Sequence, residues 1–131
     1  MCGKLVNRVL LGLLFLVAGL IKFWAVTQGS WQTPAFFASL NIPLATFFAW
    51  VVMLSEIIFG IAILAKYKLE YTVWPLIIIM VVAALTANLY GGQGGPNWTG
   101  MLMHLAIASN LWILGGVDKK FMTAMHSAGK K

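Results

Sequence analysis

The sequence predicts an all-α integral membrane protein: a single four-helix bundle of up-down-up-down topology, with both termini cytoplasmic. Three observations carry that expectation. Hydrophobic residues make up 61% of the 131 and charged residues only 9%, against roughly 45–50% and about 25% in soluble domains. Too few polar groups remain to cover a water-soluble globule of this size, which excludes a soluble enzyme and a nucleic-acid-binding module. Four segments are apolar over the about 20 residues that a helix needs to cross a bilayer core. Finally, the charges fall on alternate connections.

The four segments run over 5–26, 44–65, 71–90 and 97–117. The first opens on Lys4 and Arg8 like a signal peptide, but no small-residue cleavage pattern closes it, so it reads as an uncleaved anchor. Pro43 and Pro75 fall at or within the first turn of the second and third helices, where a missing N–H costs little. Asn97, after Pro96, suits the N-cap of the fourth. None of the segments has the period-2 polarity of a β-barrel strand. In the first connection, Thr33–Pro34 is a helix-start signal, and Phe36, Phe37 and Leu40 add apolar bulk before Pro43. A short helix is therefore expected over 34–41, as a lid over a site or as an interfacial anchor. Gly91, Gly92, Gly94 and Gly95 make the third connection a mobile rim or a tight turn.

Lys4 and Arg8, Lys66 and Lys68, and Lys119, Lys120, Lys130 and Lys131 stand on one side, with Glu70 and Asp118 as the acids there. These residues account for the whole net charge of +6. The connections 27–43 and 91–96 hold no Lys, Arg, Asp or Glu. By the positive-inside rule the charged side is cytoplasmic. The net charge is then a topology signal, with anionic lipid headgroups as its natural contact. Trp24, Trp31, Trp74 and Trp98 lie near the expected interfaces, where indoles concentrate. Trp50 and Trp112 lie deeper.

Within the spans remain Lys22, Glu56 and the titratable His104. An ionisable residue there costs roughly 2.5–3.5 kcal/mol on insertion scales, so each is a functional candidate. Alternating four- and three-residue steps put Arg8, Gly12, Phe15, Gly19 and Lys22 on one face of the first helix. The same spacing joins Ala49, Met53, Glu56, Gly60 and Ile63, and likewise Met101, His104, Ala108, Leu111 and Gly115; Ala84 and Asn88 share a face of the third helix. Small residues a turn from each polar one allow close helix approach. Lys22, His104 and Asn88 lie toward the outer end, while Glu56 is about twelve residues, or ~18 Å, in. Its partner is Lys22 reaching down, Arg8 reaching up, a water or a ligand. Bland readings stand beside these. Lys22 snorkels to the interface, Glu56 forms a structural bridge, and His104 bonds a neighbouring carbonyl. Asn88 makes a helix–helix bond or cap, and Arg8 anchors the topology.

The single cysteine, Cys2, excludes an intrachain disulfide, a CxxC pair and a thiolate zinc site. One span histidine cannot make a bis-histidine haem site, and no metal site is expected. The seven methionines read as packing. What remains is one acid, one base and one imidazole. That set suits a quinone headgroup, whose carbonyls accept hydrogen bonds and whose reduction takes up protons. Glu56 and His104 are the catalytic, proton-handling candidates; Lys22, His104 and Asn88 are the ligand-binding ones. No covalent cofactor is expected.

The stretch from Arg8 to Lys22, RVLLGLLFLVAGLIK, resembles the first helix of DoxX-family membrane proteins. The aromatic segment Phe36–Pro43, the E-x-x-x-G pattern of Glu56 and Gly60, and the His104–Leu105 pair are similar to that family in order and spacing. The resemblance implies a four-helix bundle in a prokaryotic cytoplasmic membrane. It also implies a place among small subunits of respiratory, sulfur or thiol-stress redox complexes, including a subunit of thiosulfate:quinone oxidoreductase. Carried onto this chain, the family's motif residues are Arg8, Gly12, Gly19, Lys22, Glu56, Gly60 and His104. At most, then, the chain is a subunit of a membrane oxidoreductase, with larger redox subunits, lipids and further copies of itself as expected partners and no nucleic acid. The alternative is a non-enzymatic assembly or scaffold protein whose buried charges fix helix packing or partner contacts. A solute or proton pathway comes last, since four helices leave little room for a pore.

Overall fold

The computed structural model describes residues 2–88 and 95–129, and these form six helices and no strand. They are α1 (Cys2–Thr27), α2 (Thr33–Ser39), α3 (Ala45–Leu64), α4 (Leu69–Thr86), α5 (Trp98–Leu114) and α6 (Val117–Ala128). By length and composition α1, α3 and α4 can each cross a membrane; α5 is apolar but shorter, at 17 residues. The glycines expected to shape the third connection, Gly91, Gly92 and Gly94, lie outside the described residues, as does the expected end of the third segment at Tyr90.

Local chemistry sets the helix ends. The Asn97 side chain accepts from Gly100 N at 2.9 Å and caps α5, which satisfies one of the orphan N–H groups of a first turn. Pro34 sits in the first turn of α2, where its fixed φ is already helical. α4 starts at Leu69, two residues before the expected position, so Pro75 lies in its second turn rather than its first. The early start is supported by Thr72 Oγ1, which donates to the carbonyls of Tyr67 at 2.8 Å and Lys68 at 3.1 Å.

α1 and α3 pack most extensively and run antiparallel. Gly12 meets Gly60 and Leu64, and Gly19 meets Met53 and Ile57. A Cβ on Gly60 would stand 2.7 Å from Leu16 N and 3.1 Å from Gly12 O, so the two backbones touch where only glycine fits. This is the small-residue packing that replaces the hydrophobic effect between helices in lipid. α4 and α5 form the second antiparallel pair. Trp74 and Trp112 meet edge to face at 5.5 Å near one end, and Asn88 meets the start of α5 at the other.

Lys4, the Lys66–Lys68 connection and Lys119 after α5 consequently gather at one end, the basic end. The contiguous apolar core occupies that half: Leu11 and Phe15 of α1, Ile63 of α3, Val73, Leu76, Ile77 and Met80 of α4, and Ala108 and Leu111 of α5. Outward, Leu10 is 62% and Ile21 63% exposed. A water-soluble monomer rarely presents so continuous an apolar surface; in a bilayer it is the lipid face. The expected fourth segment breaks earlier than 117. Gly116 adopts a left-handed conformation (φ 66°), the helix ends at Leu114, and the basic tail forms the separate helix α6.

Candidate functional site

Lys22, Asn88 and His104 lie in the half of the bundle away from the basic end, and Glu56 lies near the middle of α3. Lys22 Nζ donates to Glu56 Oε2 at 2.5 Å. Helix register explains how the two meet. Gly19 sits level with the Met53–Ile57 turn of α3, which places the Lys22 backbone about one turn, ~5 Å, beyond that of Glu56. Helical side chains lean toward their own N-terminus. In an antiparallel pair Lys22 therefore reaches toward the basic end while Glu56 reaches away from it, and the charges close the gap. The Glu56 side chain is 6% exposed and that of Lys22 26%, so the carboxylate is enclosed and the ammonium keeps an open side. Of the partners the sequence leaves to Glu56, the structure selects Lys22. Arg8 lies nearer the basic end, and its buried Nε has no hydrogen-bond partner among the described residues.

The second polar junction joins α4 to α5. Asn88 is buried, and its Nδ2 donates to Ala83 O at 3.0 Å. Its own carbonyl accepts from Asn97 N at 2.7 Å. His104 Nδ1 lies 2.7 Å from Gly100 O and 3.3 Å from Asn88 Nδ2. A carbonyl only accepts, so the short contact puts the proton on Nδ1. Nδ1 then cannot accept from Asn88, and the longer contact is packing. In the neutral tautomer with that proton the acceptor lone pair is on Nε2, which has no hydrogen-bond partner among the described residues.

The structure thus brings Lys22 to Glu56 and Asn88 to His104, and no hydrogen bond or ion pair links the two couples among the described residues. Gly12, Gly19 and Gly60 stand at the α1–α3 contact on the face that presents the ion pair. Among the described residues no three His, Cys, Asp or Glu groups gather as a metal site. Open grooves lie on α6, one lined by Met122, Thr123, His126 and Ser127, away from both couples.

One donor escapes a reading of charges. Trp31, just before α2, packs edge to face on Trp50 of α3 at 5.1 Å, and its buried indole N–H has no acceptor among the described residues. A buried donor without a partner costs free energy. Its only signal in the sequence is a tryptophan in an otherwise uncharged connection.

The DoxX family model matches residues 3–89. The match covers 87 of the 131 residues and includes Lys22, Glu56 and the glycines at their contact; α5, with His104, and α6 lie beyond it. No curated protein matches the chain. No solved structure matches it either. With about two thirds of its length matched, from α1 through α4, the chain is a member of the DoxX family.

Proposed function

We propose that this protein is a four-span subunit of a membrane redox complex that holds a quinone-type ligand at the half of the bundle away from its cytoplasmic, basic end. In this reading α5 is the fourth span, and both termini are on the cytoplasmic side by the positive-inside rule. The observation that carries the proposal is the Lys22–Glu56 pair, set between apolar helices at 2.5 Å with the ammonium open on one side.

The donor set suits such a ligand. An ammonium has three N–H donors; one serves Glu56, leaving two for a carbonyl. Glu56 holds that ammonium in place. His104 Nε2 presents a lone pair, which suits the hydroxyl of a quinol and can take its proton. Asn88 positions the start of α5 and so the imidazole. A bound quinone would supply the two-electron chemistry, with electrons passing to or from another subunit. Access is from the lipid side, where quinones reside.

Glu56→Gln and Lys22→Ala test the role directly. The expected result is loss of co-purifying quinone and of turnover per assembled complex. Unchanged ligand content and turnover in both variants contradict it.

One observation favours a second reading. The ion pair satisfies itself, and glycines of the same two helices pack around it, as a device that fixes helix register would. An assembly or scaffold protein built this way lowers the abundance of a client complex when deleted, while turnover of each assembled complex stays constant.

A further inference from the structure

Among the described residues α6 is the one long helix that the bundle does not absorb. Its main contacts are with the end of α5, and the left-handed Gly116 that precedes it redirects the chain just where α5 ends. A Cβ there would meet nothing within 4 Å, so the glycine serves the backbone turn rather than a close contact. The sequence of the helix is two-sided. Apolar residues recur at positions 117, 121, 124, 125 and 128, and polar or basic ones at 119, 123, 126 and 127. Both series follow the i, i+4, i+7, i+8 spacing of a helix face, and the apolar one continues to i+11. Met125, on the apolar face, is 58% exposed, although α6 lies beyond the spans, where no acyl chains would cover a helix projecting into water. The same end of the bundle presents Lys4, Lys66, Lys68 and Lys119, with Tyr67 and Tyr71 exposed beside them.

We propose that α6 is an interfacial helix that lies on the anionic surface of the membrane, its apolar face among the upper acyl chains and its lysines among acidic headgroups. The charge complementarity selects this occupant. A basic amphipathic helix of low net hydrophobicity, leaving the bundle at the level of the headgroups, matches an anionic leaflet. The proposal needs only that α5 ends at a membrane surface and is independent of any redox role.

The test uses the full chain in a Cys2→Ser background with a single nitroxide label, at Met125→Cys or at Thr123→Cys. Each is reconstituted into vesicles of phosphatidylcholine alone and of phosphatidylcholine mixed with phosphatidylglycerol. The expected result is a label at 125 that is reached by oxygen and shielded from a water-soluble nickel relaxant in the mixed vesicles, while 123 stays open to the relaxant. Lys119→Gln should lower the ratio of docked to undocked helix on the order of fivefold, and high salt should act in the same direction. Equal relaxant access at 125 and 123 in the mixed vesicles overturns the proposal. So does shielding at 125 that ignores phosphatidylglycerol and rises with protein density, since a second copy would then be the cover.

Discussion

Between α1 and α3 the polar junction is an ion pair that closes on itself between glycine-packed backbones, whereas between α4 and α5 it is a backbone bond from Asn97 N to Asn88 O, flanked by local side-chain bonds that leave one ring nitrogen open. The difference teaches what each junction can do. The first fixes register strongly and keeps only the spare protons of Lys22 for a ligand. The second rests on that backbone bond and on local side-chain bonds, i to i−4 and i to i−5, and none of them uses Nε2.

The largest expected effect follows from breaking one side of the ion pair. Lys22→Met leaves Glu56 enclosed without its partner and should cost about 3 kcal/mol, read as a shift in unfolding by denaturing detergent. Adding Glu56→Leu to Lys22→Met should recover most of that loss, because apolar replacement of both partners of a buried pair is often neutral or stabilising. The double variant separates the two roles: a structural bridge can be replaced in this way and a ligand site cannot. Next comes Gly60→Ala, whose Cβ meets the Leu16 and Gly12 backbones and should cost roughly 1–3 kcal/mol by forcing α1 and α3 apart. On the other side, Asn88→Ala should cost only about 0.6–1.7 kcal/mol, the range of hydrogen bonds within membrane bundles. His104→Ala should do the same, and an equal loss at Asn88 and Lys22 would erase the contrast. The smallest effect is expected at Trp74→Leu, which removes the edge-to-face contact with Trp112, worth roughly 0.5–1.5 kcal/mol and remote from both junctions.

Much of this was legible in the residues because membranes make polar atoms conspicuous. Lys22 and Glu56 stand out as charges in apolar runs, and their four-and-three spacing with Gly19 and Gly60 marks the face that α1 and α3 share. The choice between Lys22 and Arg8 as partner was not legible. It depends on antiparallel register and on the lean of helical side chains, both properties of the packed pair. The tautomer of His104 is set by the Gly100 carbonyl, and a backbone acceptor leaves no trace in composition. Gly116 lies inside an apolar run, so its left-handed turn, and with it the separate α6, was hidden in what reads as the end of a span and a basic tail. Trp31 is visible only as one indole among six; its unpartnered N–H emerges from the contact with Trp50.

The central claim is that the Lys22–Glu56 junction serves a ligand within a redox complex, and native mass spectrometry of the protein released in mild detergent from its own membrane tests it most directly. The account predicts redox subunits released together with this chain and a retained mass matching a quinone. That mass should vanish in the Lys22→Met, Glu56→Leu double variant even though the fold is kept. Release of the chain alone or with a folding client, carrying only bulk phospholipid, would contradict the account and leave the ion pair as a bolt between α1 and α3.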